Sequence, residues 1–381
     1  MKKILFVNDE MVMGGVSKVL NNLLTHIDTE KYEVSLLVLH CHGEMLKDVP
    51  PQIKVIKGTS FFDVIDTPIE ELIKEKKWGL VFKKIKLFLL MRSGLINYVI
   101  FNERQKMNLC HHDVEIAFKE GFCSVFVGCG ESDIKINWVH ADYKVMNYAK
   151  NYMQLMRRVL NKFTYHVAVS KVAASSFEEV FNLEQKVLVI HNIIEAENII
   201  GKADEEICFR DELFSFISVG RLHPQKSYDR LVNACDKLKK DGYVFKVYII
   251  GNGELEQKIK KQISSLSLED TVILLGSQSN PFKYLKQADC FVLSSIYEGL
   301  PTVVFESMIL KVPVLALEVA GVQEQLQNKY GIITRNDEEH LYLEMKRILD
   351  NPSILEIYKN HLKHYQYDNE KILSEIYDMF E

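Results

Sequence analysis

The sequence contains no long apolar run. Its first residues, Met1 to Asn8, begin like a signal peptide with two lysines, but the apolar stretch stops after four positions at Asn8-Asp9-Glu10. That is too short for the apolar core of a secretion signal. No uninterrupted apolar segment approaches the ~20 residues that a membrane-spanning helix needs. These absences predict a cytoplasmic protein.

Excess positive charge, paired cysteines and acidic metal motifs are also missing. With 47 Lys and Arg against 52 Asp and Glu, the net charge is −5, which argues against a general nucleic-acid binder. The seven cysteines form no C-x-x-C pair and no His/Cys cluster at metal-ligand spacing, as expected in a reducing compartment. There is no D-x-D pair and no glycine-rich Walker loop. We therefore expect neither a catalytic metal ion nor a cofactor.

Short apolar runs alternate with helical patterns along the whole chain. Strands that alternate with helices form parallel sheets joined by right-handed crossovers, so the pattern predicts an α/β protein. The runs fall into one set per half, which predicts two doubly wound, Rossmann-like domains. The predicted strands are residues 3–8, 33–39, 53–57, 114–118, 134–139, 166–169 and 187–190, then 214–219, 245–250, 272–275, 290–293, 312–316 and 331–333.

The length of the chain also favours two domains, because 381 residues are too many for one typical core. Residues 195–212 are mostly polar and charged, and we place the boundary there. The predicted domains are 1–195 and 205–364. From about residue 352 the chain is expected to be helical, and this stretch carries many aromatic residues: Tyr358, Tyr365, Tyr367, Tyr377 and Phe380.

Two glutamates, Glu298 and Glu306, frame the most informative segment, which follows the predicted buried strand 290–293. The turn Gly299-Leu300-Pro301 is predicted to begin a helix, because proline is tolerated in a first helical turn. The exposed N–H groups of that turn favour an anion, and the carboxylates can accept hydrogen bonds from hydroxyls. Together these groups suit a nucleotide-sugar. The alternative is that Glu306 is only a charge favoured by the helix dipole.

Two cations follow the first predicted strand of the second half. Gly220 ends that strand, and Arg221 and Lys226 come next, at the sheet edge where open α/β sheets bind ligands. A guanidinium and an ammonium on one short loop can neutralise a diphosphate. Taken alone, the pair would be interpreted as solvated surface residues, but its coincidence with the Glu298 segment favours a binding site.

Several glycines and one histidine lie at other predicted strand ends. Gly14-Gly15 stands between the first strand and the first helix, where a backbone can approach a ligand, although an ordinary tight turn would look the same. Gly251 is either a simple turn or a wall of the nucleotide pocket, and Gly276-Ser277-Gln278 could contact a base through its backbone. His140 ends another strand and is as consistent with a structural role as with a catalytic one.

These residues together resemble the retaining nucleotide-sugar glycosyltransferases of the GT-B fold, the bacterial sugar transferases often called family four. The resemblance spans nearly the whole chain. It is strongest from Ser218 to Glu324, which holds S-V-G-R-L-x-x-x-K, the E-G-L-P-x-x-x-x-E form of the E-x7-E motif, and Ala-Gly-Val-Gln-Glu at 320–324. The family's Gly-Gly-x-x-Glu has glycine where this chain has Ala320.

The resemblance implies a role for each matching residue. Arg221 and Lys226 would hold the donor diphosphate, Glu298 the sugar hydroxyls and Glu306 the ribose, and His140 would lie near the sugar. The two domains would face each other across a cleft, and the carboxyl-terminal helix, about 365–381, would pack back on the first domain. The implied catalytic residues are His140, Glu298, Arg221 and Lys226. The implied donor set is Gly14, Gly15, Gly220, Arg221, Lys226, Gly251, Gly276, Ser277, Gln278, Glu298, Gly299, Leu300, Pro301, Thr302, Val303 and Glu306.

The activity that the resemblance implies is sugar transfer without a metal ion. The acceptor hydroxyl would attack from the face on which the diphosphate departs, so the anomeric configuration would be retained. A UDP-sugar is the expected donor, and a saccharide or lipid-linked molecule of bacterial cell-surface polysaccharide synthesis is the expected acceptor. A silent partner subunit of the same fold is the alternative, although such a partner need not keep all four charged residues. An epimerase or phosphorylase matches the motifs less closely.

Residues 74–101 interleave cations with aromatic and aliphatic residues. A basic amphipathic segment of this kind can lie on an anionic membrane, which would place the protein on the cytoplasmic face of the plasma membrane. A helix that packs its apolar face in the first domain and exposes its lysines would give the same pattern.

Overall fold

The computed structural model describes residues 1–65, 67, 69–109, 111–145, 150–207 and 212–381. The chain divides into two compact units. The first unit contains Met1–Ile193 and Asn369–Glu381, and the second contains Ile194–Asp368. Residues 208–211 of the predicted boundary segment lie outside the described residues. No helix in the described part of the chain is long and apolar enough to cross a membrane.

The first unit is built on a seven-stranded parallel sheet with the order β3-β2-β1-β4-β5-β6-β7. The central strand β1 is buried on both faces, with Ile4 to Val7 fully buried, which is why it is a continuous apolar run. The seven strands are β1 (Lys2–Asn8), β2 (Tyr32–Val38), β3 (Lys54–Lys57), β4 (Val114–Ala117), β5 (Ile134–Val139), β6 (Tyr165–Ala168) and β7 (Leu188–Val189).

The helices of the first unit follow these strands. The first of them, α1, buries Val19, Leu20, Leu23 and Leu24, the face that its apolar spacing predicts. In chain order the helices are α1 (Gly15–His26), α2 (Ile69–Lys74), α3 (Trp78–Ser93), α4 (Ile96–Lys106), α5 (Phe122–Gly128), α6 (Lys150–Arg157) and α7 (Lys171–Phe181).

The second unit is built on a six-stranded parallel sheet with the order β10-β9-β8-β11-β12-β13. In this order β8 pairs with β11, so the chain first builds outward on one side of β8 and then returns to the other side. Ligands of open α/β sheets bind at such a switch point, outside the carboxyl ends of the strands. The strands are β8 (Ser215–Val219), β9 (Lys246–Ile250), β10 (Val272–Gly276), β11 (Cys290–Leu293), β12 (Val314–Leu317) and β13 (Gly331–Thr334).

The remaining helices cover this second sheet, except for the last one, which belongs to the first unit. They are α8 (Ala196–Ala203), α9 (Tyr228–Lys240), α10 (Glu256–Ser265), α11 (Phe282–Leu285), α12 (Thr302–Ile309), α13 (Val322–Leu326), α14 (Glu338–Asp350), α15 (Ile354–Leu362) and α16 (Asn369–Asp378).

The carboxyl-terminal helix α16 completes the core of the first unit. Phe380 is fully buried and packs edge-on against Tyr32, with ring centroids 5.4 Å apart. Tyr377 stacks on the same ring at 5.3 Å and accepts a hydrogen bond from Asp28 N–H. The expected continuous helix from about residue 352 is interrupted: α15 ends at Leu362, and α16 begins only at Asn369.

The predicted α/β class is confirmed, and a strand is found at each of the thirteen predicted places. The helix expected at Gly299-Leu300-Pro301 begins one residue later than its proline, because Pro301 is extended at φ −69° and ψ 104° and caps α12. Glu306 is thus the fifth residue of α12 and is buried.

Candidate functional site

The loops after β8 and β11 lie side by side at the switch point and are joined by hydrogen bonds. The Ser294 hydroxyl donates to the Lys226 carbonyl at 2.8 Å, and the Ile296 N–H donates to the Gln225 carbonyl at 2.8 Å. The Gln225 amide also donates to the Tyr297 carbonyl at 3.0 Å. Two segments far apart in sequence therefore form one surface at the carboxyl edge of the second sheet.

Glu298 is buried on that surface and receives three hydrogen bonds. Its Oε1 accepts from Lys226 Nζ at 2.6 Å and from the Ser295 hydroxyl at 2.6 Å. Its Oε2 accepts from the Gln225 amide, at 3.2 Å. The carboxylate is therefore held in one orientation, and most of its remaining acceptor capacity is on Oε2.

The two predicted cations differ in their surroundings. The Lys226 side chain is 20% exposed and ion-paired with Glu298, and its stem lies along Gly220, where an added Cβ would come within 3.3 Å of Lys226 Cε. Arg221 is exposed and makes no side-chain hydrogen bond or ion pair with the described residues. Among the described residues, Lys226 therefore has an ionic partner and Arg221 has none.

Gly251 is required by a close approach of two backbones. A Cβ at Gly251 would lie 2.0 Å from the Gly220 carbonyl oxygen, and the residue has φ +144°. The Gly220 N–H donates to the Ile250 carbonyl at 2.9 Å and the Leu222 N–H to the Asn252 carbonyl at 2.8 Å. The loop after β9 therefore supports the loop that carries Arg221.

The predicted base-contacting segment follows β10. The Gly251 N–H donates to the Gly276 carbonyl at 2.9 Å, so this segment continues the same row of loops. Gly276 has φ +69°, and an added Cβ would meet open space. Ser277 is exposed. Gln278 is engaged locally, donating to the Leu275 carbonyl at 2.6 Å and accepting from the Tyr284 hydroxyl at 3.1 Å.

The start of α12 is supported from the segment 320–325. Gly321 has φ +79°, and a Cβ there would lie 2.8 Å from the Gly299 carbonyl oxygen. The Gln325 amide donates to the Pro301 carbonyl at 3.0 Å. Ala320, which replaces a family glycine, has no positive φ, so this position does not require glycine. Leu300, Pro301 and Val303 are buried, while Gly299 and Thr302 are half-buried.

In the first unit, His140 lies at the end of β5. Its Nε2 is 2.7 Å from the Phe118 carbonyl oxygen, so Nε2 carries the proton and donates it, because a carbonyl can only accept. Burial lowers the pKa of His140 to about 4. The half-buried ring is therefore neutral at pH 7, and the lone pair is on Nδ1.

Three charged residues near His140 were not singled out by the sequence analysis. The Glu120 carboxylate accepts from the His140 backbone N–H at 3.1 Å, and burial raises the pKa of Glu120. Lys119 Nζ lies 2.5 Å from Asp9. Asp9 follows β1, and Lys119 and Glu120 follow β4, so a search for charges directly after predicted strands would have found all three.

The glycine pair at the start of α1 is not required by packing against the residues that the structure describes. Gly14 is extended at φ 177°, and an added Cβ would meet only the Val12 carbonyl oxygen at 4.0 Å. At Gly15 no described residue lies within 4 Å of an added Cβ. The predicted site residues thus occupy the carboxyl edges of two separate sheets, with Gly14, Gly15 and His140 on the first and the others on the second.

The chain is similar to known proteins in sequence and in fold. Residues 202–368 match the family model described as glycosyl transferases group 1. The chain is 33% identical over 186 residues to an uncharacterized glycosyltransferase of Methanocaldococcus jannaschii, which covers 43% of this chain and 45% of that one. It is 30% identical over 228 residues to the Campylobacter jejuni N-acetylgalactosamine-N,N'-diacetylbacillosaminyl-diphospho-undecaprenol 4-alpha-N-acetylgalactosaminyltransferase, covering 58% of this chain and 61% of the relative.

The match thus spans about half to three-fifths of these curated relatives. The crystal structure of HepE from Anabaena in complex with UDP superposes with a TM-score of 0.72 over 99% of both chains at 15% identity, and at that identity the likeness shows the fold. The two parallel-sheet units therefore have the GT-B fold, and residues 202–368 are similar to the glycosyl transferases group 1 family.

Proposed function

We propose that this chain is a retaining, metal-independent glycosyltransferase that moves a sugar from a nucleoside-diphosphate sugar to a saccharide or lipid-linked acceptor of cell-surface polysaccharide synthesis. The observation that carries the proposal is the Glu298 carboxylate, which is buried, fixed by three donors and paired with Lys226, on the loop that also carries Arg221. Such a site offers acceptors for hydroxyls and cations for phosphates within one short stretch of surface.

The diphosphate end is assigned to Arg221 and Lys226. Arg221 offers a planar fork of N–H donors that matches phosphate oxygens, and it is exposed. Lys226 uses one of its three N–H donors on Glu298, which leaves others for a phosphate. Together with the N–H groups at the start of α12, these cations stabilise the charge that develops on the leaving diphosphate.

The sugar end is assigned to Glu298 and the ribose to Glu306. Oε2 of Glu298 has the weaker hydrogen bond and so can accept from a sugar hydroxyl without displacing Lys226. Glu306 is buried on α12, one turn into the helix whose first N–H groups face the phosphates. A carboxylate there accepts from ribose hydroxyls.

His140 is assigned to a sugar hydroxyl as a hydrogen-bond acceptor. Because the pKa of His140 is lowered to about 4, its Nδ1 is a weak base at neutral pH. It therefore orients a hydroxyl rather than removing a proton from it. In the retaining mechanism the proton of the acceptor hydroxyl passes to the departing diphosphate, on the same face of the sugar.

The choice of donor and acceptor follows the relatives. HepE was crystallised with UDP, which supports a UDP-sugar as the donor. The name of the C. jejuni relative contains a diphospho-undecaprenol acceptor, which supports a lipid-linked acceptor at the inner face of the plasma membrane.

Helix α3 supports contact with that membrane. Trp78, Phe82, Ile85 and Leu89 are 42–69% exposed and follow the i, i+4, i+7, i+11 spacing of a single stripe. The buried residues Val81 and Leu87 lie elsewhere on the helix, so the exposed stripe is not the face that packs in the unit. With 3.6 residues per turn, Lys86 and Arg92 lie on either side of this stripe. Apolar side chains flanked by cations suit an anionic lipid surface.

A donor screen followed by product analysis tests the proposed function. A ligand that binds the folded state raises the melting temperature as RT ln(1 + [L]/Kd), so the true donor among UDP-, GDP- and ADP-sugars should give the largest shift. NMR of the product formed from that donor should show a retained anomeric configuration. An inverted linkage would overturn the mechanism, and the absence of any shift and any transfer or donor hydrolysis would overturn the function.

A further inference from the structure

Three possible metal ligands of the first unit converge where β1 and β2 end. Glu10 follows β1, and His40 and His42 follow β2. One ligand atom of each, a carboxylate oxygen or an imidazole nitrogen, lies within 4.8 Å of the other two. Nε2 of His42 is 3.5 Å from Oε2 of Glu10, and the two imidazole rings lie side by side with centroids 4.0 Å apart at 33°.

These separations are close to what a tetrahedral zinc ion requires. Bonds of about 2.0–2.1 Å to nitrogen and oxygen place neighbouring ligand atoms roughly 3.4 Å apart. The Glu10–His42 distance already meets this value, and the third ligand needs to approach by little more than 1 Å. The His42 side chain is 45% exposed and that of Glu10 21%, so both can rotate and an ion can reach them.

The backbone that carries these ligands is fixed. His40 N–H donates to the Asp9 carbonyl at 2.7 Å, Met11 N–H to the His42 carbonyl at 2.9 Å, and Met45 N–H to the Met11 carbonyl at 2.9 Å. Gly43 has φ +115°, and a Cβ there would lie 2.1 Å from the Met11 carbonyl oxygen. The two loops therefore form one rigid piece, which lowers the entropy lost when an ion is bound.

The surroundings are also negatively charged. Asp9, Glu10 and Asp63 all act electrostatically on His40, and of these Asp9 is paired with Lys119. Two neutral imidazoles with one carboxylate are a ligand set typical of zinc with a fourth position for water. Magnesium, which prefers oxygen ligands, is a poorer match.

We propose that Glu10, His40 and His42 bind a zinc ion, which ties the segment leading to Gly14-Gly15 to the loop after β2. The ion would hold the backbone just before α1 in place, in addition to the hydrogen bond from Met13 N–H to Glu44 at 3.1 Å. The site belongs to the first unit. It does not depend on the sugar-transfer proposal.

A titration of the tag-free, full-length chain with ZnCl2 tests the site. We expect one ion per chain by calorimetry and by metal analysis after desalting, with no comparable binding of MgCl2. Since even groups that only support a metal ligand change affinity by about 10- to 100-fold, His42→Ala and Glu10→Gln should each weaken binding at least tenfold. The group His111, Asp113 and Asp133 supplies a matched control, and His111→Ala should leave the affinity unchanged.

Two further measurements distinguish zinc held by these three ligands from zinc held by a thiol and from a loss of fold. Cys41 stands between the two histidines, so a Co²⁺ spectrum without a thiolate charge-transfer band and unchanged affinity in Cys41→Ser are expected. In EDTA, His42→Ala should melt like the unmodified chain, which shows that a loss of zinc is not a loss of fold. Absent binding by the folded chain, equal binding by His42→Ala and Glu10→Gln, or loss only in Cys41→Ser would each overturn the proposal.

Discussion

Lys226 Nζ lies 2.6 Å from Oε1 of Glu298, so the cation expected to neutralise the donor diphosphate already neutralises the carboxylate expected to bind the donor sugar. The pair is partly shielded from water, with side chains 20% and 8% exposed. In the proposed site, an arriving diphosphate therefore shares one ammonium group with Glu298. Binding of the donor's diphosphate and binding of its sugar are therefore coupled through this pair.

This coupling predicts opposite effects of Glu298→Gln on binding and on transfer. The amide cannot hold the ammonium by charge, so Lys226 becomes more available to phosphate. Affinity for UDP, measured by calorimetry, should be unchanged or higher. Transfer should fall by about 10²- to 10³-fold, because an acceptor for the sugar is lost.

The matched control is Glu256→Gln, which removes the carboxylate of a more exposed pair in which Lys260 Nζ is also 2.6 Å from its partner. This control should change neither the affinity for UDP nor the rate of sugar transfer. A large loss of UDP affinity in Glu298→Gln would contradict the coupling, and normal transfer would remove Glu298 from the site.

Arg221→Ala should weaken UDP binding by about 1.5–3 kcal/mol, the range of a hydrogen bond to a charged group. Arg221→Lys should recover only part of it, because a lysine has no planar fork. Lys261→Ala on α10 removes an exposed cation of the same unit and should have no effect. If Arg221→Ala binds UDP as tightly as Lys261→Ala does in calorimetry, Arg221 does not contact the diphosphate.

Gly251→Ala should destabilise the chain by about 2–4 kcal/mol, because the added Cβ would lie 2.0 Å from a backbone oxygen. Gly242→Ala is the control, since Gly242 also has a positive φ of +89° but no atom of the described residues lies within 4 Å of an added Cβ. It should cost only the backbone strain, about 1 kcal/mol. Urea unfolding measures both, and equal losses would mean that the 220–222 loop yields to the methyl group.

Acid should destabilise the chain through His166. Burial lowers the pKa of His166 to about 4 from 6.5. Below pH 6.5 this histidine is therefore protonated in the unfolded chain, whereas in the folded chain it stays neutral down to about pH 4. The free energy of unfolding therefore decreases as the pH is lowered from 6.5 to 4. At pH 5 the loss from this group is about 2 kcal/mol. His140 acts in the same direction, whereas Glu120, whose pKa is raised, acts in the opposite one.

The variant His166→Gln isolates the effect of this group. It cannot titrate, so its stability should decline less between pH 7 and pH 5 than that of the unmodified chain. Denaturant unfolding at the two pH values gives the comparison. Parallel declines in the two proteins would show that His166 is not the group responsible.

The apolar stripe of α3 should decide membrane binding. Phe82→Ser with Leu89→Ser should weaken binding to anionic liposomes, measured by flotation, by at least about a hundredfold, since burial of each side chain contributes roughly 1.5–3 kcal/mol. Ile357→Ser removes an apolar side chain that is 61% exposed in the second unit and should change nothing. Unchanged flotation of the double variant, or no flotation of the unmodified chain, would count against the contact.

The lysines of the segment 74–101 are not equivalent in such a test. Lys84 Nζ donates to the Val64 and Ile65 carbonyls at 2.6 and 2.8 Å, so its replacement would disturb the fold. Lys86 and Arg92 are the informative cations. Their replacement should weaken flotation at low salt more than at high salt.

The architecture was predictable because buried parallel strands are nearly continuous apolar runs, and Cys290–Leu293 and Ile4–Val7 are of this kind. The break between α15 and α16 was not predicted, because Tyr365 and Tyr367 in that interval were assigned with the other aromatic residues to one helical stretch. In the structure Tyr367 instead packs edge-on against Phe305, with centroids 4.9 Å apart.

The residues of the candidate site were predictable by type, but their partners were not. Glu298, Arg221 and Lys226 follow strand ends, so their position at the sheet edge comes from the sequence. The hydrogen bonds from Gln225 and Ser295 to Glu298 depend on β8 pairing with β11, which local spacing does not reveal. The same is true of Glu10 and His42, which meet because β1 pairs with β2.

The position of α16 has a consequence for the order in which the chain folds. The first unit begins with Met1 but buries Phe380 and Ile376 in its own core. A ribosome makes the amino-terminal end first, so the rings of Tyr377 and Phe380 reach Tyr32 only after the whole second unit has been synthesised. The unit that is started first is completed last, and until then the surface around Tyr32 stays open to chaperones.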